Sequence, residues 1–233
     1  MKSLVVILAG GKGSRVNGSV KKQFIKINGY TLLEHTLKIF CKFYSKKNII
    51  IVLPNEEIKN KYSKIYKNYT EHKFIIGGKS RKHSVKNSIK YIDTLKTLPE
   101  NILIHDSARP NVSNSLIKKV RQSIHNKKIN FVIPYLGIDS CLKKRMSINK
   151  VQTLNRKNYI TSQTPQAFKY NLISKLYFKK ETITDDAQLF EINKIKNGKF
   201  ILGEINNFKI TNKMDIDLFK KINTNNTMFR VGN

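Results

Sequence analysis

The sequence predicts an α/β fold: a mostly parallel, twisted sheet with helices on both faces and a protruding β-arm. Three observations carry the prediction. Short continuous apolar runs recur through the first two thirds of the chain, as strands buried on both faces require. Stretches with apolar residues at helical spacing lie between them. The first run opens into a glycine-rich loop, and ligands of such sheets sit beyond the carboxyl ends of the strands.

Strands are expected at Leu4–Ala9, Asn48–Leu53, Lys73–Ile76, Ile102–His105 and Asn130–Pro134. Helices are expected at Thr31–Tyr44, Glu56–Tyr69, Arg81–Leu95 and Asn114–Asn126. In the first helix Leu32, Leu33, Thr36, Leu37, Ile39 and Phe40 make a broad apolar face. Ser113 or Asn114 can cap the last. The rhythm changes after Pro134. Tyr135 to Ser162 is polar and short-patterned, which predicts a β-hairpin arm rather than a domain. A hairpin without its own core is marginal alone, so it should pack on something, a second subunit included. Helices resume at Lys169–Lys179 and Thr184–Ile192, a strand lies near Phe200–Leu202, and a last helix spans Met214–Ile222. Residues 1–222 are read as one domain with its arm at about 135–162, and residues 223–233 as a linker or the start of a following domain.

The 233 residues suffice for one large α/β domain with a full core. No apolar run approaches the ~20 residues of a membrane span. Leu4–Ala9 is too short for a secretory signal core. Cys41 and Cys141 are far apart and in no metal-like spacing, so reduced thiols in a cytoplasm are expected. The net charge of +30 would attract nucleic acid or other anions. Its lysines are spread along the whole chain, though, and a nucleic-acid footprint needs clustering on one face. The expectation is therefore a basic solvated surface, with neither nucleic acid nor membrane as partner. Tyr62, Tyr66 and Tyr69 are read as the buried side of a helix rather than a base-stacking platform.

Gly10, Gly11 and Gly13 let the backbone approach a bulky anion, and N–H groups of such a loop can point at phosphate oxygens. Arg15 and Lys22 follow, and can offset charge building on a phosphate during reaction. Two lookalike motifs fail. Val16 stands where a dinucleotide fingerprint needs its third glycine, and Lys73 stands where a P-loop ending in Gly78-Lys79-Ser80 needs its first. A plain strand-to-helix turn is the alternative reading of the loop. Asp106, at a strand's carboxyl end, can ligate Mg²⁺ beside substrate phosphates, and Arg109 can grip an anion. An Asp–Arg surface pair is the alternative there.

Several segments occur in a fixed order: Leu8 to Arg15, Lys22-Gln23-Phe24, Gly77-Gly78 with Arg81 and Ser84, His105 to Pro110, Gln163 to Gln166, Thr184 to Ala187, and Lys209-Ile210-Thr211. Together they resemble the 2-C-methyl-D-erythritol 4-phosphate cytidylyltransferase family, from about Leu4 to Phe219. Ribitol 5-phosphate cytidylyltransferase shares many of these motifs, and Leu154-Asn155-Arg156 looks more like the methylerythritol family. The resemblance implies a Rossmann-like sheet of nucleotidyltransferase type, CTP and a polyol phosphate as substrates, Mg²⁺ as cofactor, and a homodimer formed through the arm.

It also implies residue roles. Arg15 and Lys22 would stabilise the transition state, and Arg156 and Lys209 would aim the attacking oxygen. Asp106 would help hold Mg²⁺. Ala9, Gly10, Gly78 and Ser84 would recognise cytosine. Arg109, Ser140, Arg156, Thr164 and Lys209 would bind the polyol phosphate, with Ser140 and Arg156 reaching a neighbour's site. Thr184 is expected to cap its helix.

Four positions depart from the family pattern. Lys21 replaces a proline, Lys79 an acidic residue, Asn155 an aspartate and Ser140 a threonine. Met228 to Asn233 resembles the first strand of a 2-C-methyl-D-erythritol 2,4-cyclodiphosphate synthase domain, which leads us to expect the front part of a bifunctional protein or a truncated relative of one. Other classes to be told apart are a basic nucleic-acid-binding protein and a dinucleotide-dependent oxidoreductase.

Overall fold

The computed structural model describes residues 2–11, 21–58, 60, 71–179 and 183–228, with side chains up to Thr224. Gly13, Arg15 and most of the helix expected over 56–69, with its three tyrosines, lie outside the described residues, as does the tail from Phe229.

Strand β1 (Ser3–Leu8) lies inside the sheet. Val5 and Ile7 face one way, Leu4 and Val6 the other, and all four are buried because helices cover both faces. β1 pairs in parallel with β4 (Ile49–Leu53) on one side and β6 (Asn101–Asp106) on the other. β5 (Lys73–Ile76) extends the sheet beyond β4, again in parallel. The short β2 (Lys26–Ile27) and β3 (Tyr30–Thr31) form a separate small hairpin.

The far side contains what apolar periodicity did not reveal. β11 (Gln166–Lys169) inserts antiparallel between β6 and β7 (Phe131–Gly137). β12 (Gly198–Leu202) pairs in parallel with β7. The expected strand over 130–134 is longer than its sequence suggests. Pro134 cannot donate to a ladder, yet it falls between Val132, the last partner of β11, and Tyr135, the first partner of β10 (Ile160–Ser162). The missing donor is therefore not needed, and β7 runs on to Gly137.

The arm leaves the sheet at Gly137 and returns at Ile160, its direct cross-strand partner. Between them β8 (Leu142–Arg145) and β9 (Val151–Leu154) pair antiparallel as a hairpin. Met146, Ile148, Val151, Tyr159 and Ile160 are exposed along it.

Two helical layers sandwich the sheet. α1 (Leu32–Phe40) and α3 (Asn114–His125) cover one face. α2 (Arg81–Ile92), α4 (Tyr170–Leu176) and α5 (Gln188–Ile192) cover the other. α6 (Lys213–Met228) packs Ile216 and Phe219 on Ile27, Leu32 and Ile210. Thr31 starts α1 as the cap of a reciprocal box with Glu34, and Ser113 caps α3.

The cap expected of Thr184 is not formed. α5 begins later, at Gln188 after Ala187, and the Thr184 N–H and hydroxyl donate to Gln188 Oε1. Asp185 Oδ1 accepts the Ala187 N–H instead, at 2.7 Å, and Asp186 turns inward.

His72 lies buried just ahead of β5, its Nδ1 3.1 Å from the Lys46 carbonyl. Burial pushes its imidazole down to about 4. The folded state therefore binds this proton less readily than the unfolded chain. Stability should fall as pH drops from about 6.5 toward 4, by up to about 1.4 kcal/mol per pH unit for this group. In urea titrations across that window, His72→Gln should flatten the slope by up to that amount; an unchanged slope would show that His72 is not the group responsible.

Candidate active site

The ends of β1, β4, β5 and β6 open on one cavity of about 750 Å³. Ala9, Gly10 and Gly11 line one wall, Gly77, Gly78 and Ser84 a second, and Lys22, Asp106 and Lys209 also face it. Backbone bonds continue the sheet order into these loops: Ala9 N–H donates to Val52 O at 2.9 Å, and Gly77 N–H to Leu53 O at 2.8 Å. The glycine turn is thus an extension of a rigid sheet.

Gly78 is required for close approach. A Cβ there would sit 2.3 Å from His83 Cβ in the first turn of α2. Ser84 Oγ accepts the Gly78 N–H at 3.1 Å and donates to Ser80 O at 3.0 Å, which fixes the loop over the helix start.

Gln23, whose role the sequence did not disclose, joins Lys22 to the glycine turn. It is buried and donates from Nε2 to Ala9 O at 2.7 Å and to Gly11 O at 3.0 Å. Lys21, in place of proline, has φ −60° and ψ 136°. Proline fixes φ near −65°, so this backbone already has the conformation a proline would impose. Lys79 lines the cavity, where it adds a cation.

Asp106 is the electrostatic centre. Arg81 Nε lies 3.3 Å from its Oδ1 and Lys209 Nζ 2.8 Å from its Oδ2. Burial alone would raise this carboxyl, but Arg81 and then Lys209 outweigh it and hold it well below the usual carboxylate range. On its far side Arg81 Nη1 meets Asp186 Oδ2 at 2.6 Å. Asp186 is wholly buried and accepts a short bond from the Tyr177 hydroxyl. Neither Arg81 nor Asp186 was given a role by sequence reasoning. They lie on different elements, and no local pattern signals their pairing.

Thr164 and Arg109 sit immediately behind Asp106. Thr164 Oγ1 accepts the Asp106 N–H at 3.2 Å and lies 3.0 Å from His105 Nδ1. His105 is fully buried, which pushes its imidazole down to about 4 and keeps it neutral. Arg109 Nη1 donates to Asn207 O at 2.8 Å. Gln163 and Asn207 lock the Thr164 segment to the one carrying Lys209, with Asn207 Nδ2 donating to Thr164 O at 2.8 Å.

Ser140 and Arg156 do not line this cavity. Both are exposed at the base of the arm, where Arg156 Nη1 donates to the Asp139 carbonyl in a short bond. Asn155 Oδ1 accepts the Lys157 N–H there, a bond the aspartate it replaces would make equally well. Among the described residues, no three His, Cys, Asp or Glu side chains gather as a metal cage.

Backbone cradles, several cations and a carboxylate, all converging at the carboxyl edge of a mostly parallel sheet, define the site of a nucleotidyltransferase. Residues 3–224 match the family model of 2-C-methyl-D-erythritol 4-phosphate cytidylyltransferase, and the chain belongs to that family. A bifunctional IspD/IspF enzyme of Pelagibacter ubique is 38% identical over 218 residues, covering 93% of this chain and 56% of that protein. The 2-C-methyl-D-erythritol 4-phosphate cytidylyltransferase of Thermosipho melanesiensis is 35% identical over 227 residues, covering 93% of this chain and 95% of its own. The solved 4-diphosphocytidyl-2C-methyl-D-erythritol synthase of Anaerococcus prevotii superposes with a TM-score of 0.79 at 27% identity, covering 96% of each chain.

Proposed function

We infer that this chain transfers a cytidylyl group from CTP to 2-C-methyl-D-erythritol 4-phosphate, giving 4-diphosphocytidyl-2-C-methyl-D-erythritol and pyrophosphate. The observation that supports this most is the meeting of the glycine turn, Lys22, Gly78, Ser84, Asp106 and Lys209 on one cavity. A phosphate oxygen of the polyol attacks the α-phosphorus of CTP, a P–O bond forms, and the bond to the β-phosphate breaks with pyrophosphate leaving. The attacking oxygen is already anionic, so no base is needed. The protein's task is to bring two repelling anions together and stabilise charge on the transferring phosphorus.

In this reading Ala9, Gly10, Gly78 and Ser84 hold the cytosine, while Gly11 and Gly13 cradle the phosphates. Lys22, with Arg15, stabilises the transition state. Lys209 orients the attacking phosphate; Arg109 and Thr164, expected as further contacts, lie behind Asp106 and outside the cavity lining. The donor set suits Mg²⁺, which binds through one or two carboxylates plus substrate phosphates rather than in an all-protein cage. Asp106 is such a carboxylate, ionised and facing the cavity. It would hold the ion, which when bound supplies charge to offset the triphosphate.

The arm is the proposed contact of a homodimer, with Ser140 and Arg156 completing a neighbour's site. Their exposed place outside the cavity of their own chain, beside the exposed apolar residues of the arm, supports this. Among the described residues no helix is long and apolar enough to cross a membrane. With two unpaired cysteines, this suits the proposed cytoplasmic location.

Pyrophosphate release measured with CTP, ATP, GTP and UTP, each against methylerythritol phosphate and ribitol 5-phosphate, tests the reading. Turnover confined to CTP with methylerythritol phosphate is expected. Preference for ribitol phosphate would move the assignment to that relative. Steeply salt-dependent nucleic-acid binding without turnover would overturn it.

A further inference from the structure

The transfer reading leaves Arg81 and Asp186 without a task. Arg81 is the first residue of α2 and reaches between two carboxylates on separate elements. Its Nε stands 3.3 Å from Asp106 Oδ1 at the end of β6. Its Nη1 stands 2.6 Å from Asp186 Oδ2, ahead of α5. Asp186 has no exposed surface and no place in the cavity lining, so it can influence the cleft only through what it holds.

We propose that Arg81, braced by Asp186, is a positioning residue for the transfer: it fixes one oxygen of Asp106 so that the other faces Lys209 and the cleft. This rests on the cytidylyl-transfer reading. A carboxylate held at one oxygen only can rotate about its Cβ–Cγ bond. The contact at Oδ1 sets that rotation and leaves Oδ2 for Lys209 Nζ at 2.8 Å.

Asp186 does two things here. It anchors the guanidinium, and is itself located by the Tyr177 hydroxyl. It also balances the charge of Arg81. Without Asp186 the single positive charge of Arg81 would cancel that of Asp106. With it the Arg81–Asp186 pair is neutral, and the charge of Asp106 is left for Lys209 and for what binds in the cleft. A guanidinium is suited to this because its planar fork can serve two acceptors at once; an ammonium is a point donor.

Arg81→Lys keeps the charge and loses the fork, so it tests the geometry. We expect kcat to fall about 10²-fold, the scale of a misplacement of about 1 Å, while KM for CTP stays within about threefold. Crystals of this variant, compared with crystals of the parent protein, should show the Asp106 carboxylate rotated and Oδ2 separated from Lys209. Should Arg81→Lys not fold, the double change Arg81→Met with Asp186→Asn removes the charges of both partners together and leaves neither orphaned. The same two readings are expected of it.

An unmoved carboxylate overturns the proposal whatever the rate, as does a folded variant with near-parent kcat. A loss confined to KM for CTP overturns it too, since it would make Arg81 a ground-state binding group. Turnover of the parent protein in the same assay decides the transfer reading separately. The position of Asp106 in the crystals decides the positioning claim even if the parent does not use CTP.

Discussion

A Lys22→Ala variant should turn over about 10²–10³-fold more slowly than the parent, the usual loss when one preorganised donor is removed from developing phosphate or oxyanion charge. Lys22 begins the turn Lys22–Phe24, and its neighbour Gln23 is bonded to both Ala9 O and Gly11 O. The backbone that carries Lys22 is thereby tied to the glycine turn. Lys22 is half-buried at the cavity wall, so truncation removes no core volume and the melting temperature should stay near that of the parent. Steady-state rates and a thermal melt on one preparation check both halves. A near-parent rate would show that the transition-state cation lies elsewhere.

The largest effect on stability is expected from Phe168→Ala. Phe168 is fully buried on β11, opposite Ile102 of β6 and Phe131 of β7, with its ring stacked on Phe190 at 5.1 Å between centroids. Truncating such a ring costs about 3–5 kcal/mol, transfer loss plus cavity. That is a large part of the roughly 5–15 kcal/mol that holds a domain folded. Urea unfolding should show it as a fall in midpoint at nearly constant slope. A loss under about 1 kcal/mol would mean that β11 is not the packed strand described here.

Much of the fold was legible because the parallel half announces itself locally. Leu4–Ala9, Asn48–Leu53, Lys73–Ile76 and Ile102–His105 each match an observed strand to within a residue or so at either end. β11 was not legible. It has four residues, follows a proline and ends in Lys169, and its identity depends on pairing with two strands distant in sequence. The extent of β7 was hidden similarly, since Pro134 reads as a stop unless the gap between β11 and β10 is known.

The candidate site divides along the same line. Gly10, Gly11, Lys22, Gly78, Ser84, Asp106 and Lys209 come from short motifs and meet at one cavity. Arg81 and Asp186 lie inside two of the short motifs, yet their pairing comes from tertiary packing. Thr184 was misread because the segment favours an acidic-side-chain turn. There Asp185 takes the Ala187 N–H and the helix starts only at Gln188, so the Thr184 hydroxyl has no first-turn N–H to accept and donates to Gln188 Oε1.

Gly137 and Ile160 are partners on one rung of the ladder. The excursion between them therefore begins and ends at the same point of the scaffold, like a tab folded out from a page. Its length, sequence and even its presence can change by splicing at that rung without re-threading the strands that carry the nucleotide cavity. Natural variation and grafting can thus reshape the outward reach of the molecule while the sheet and its cavity keep their form.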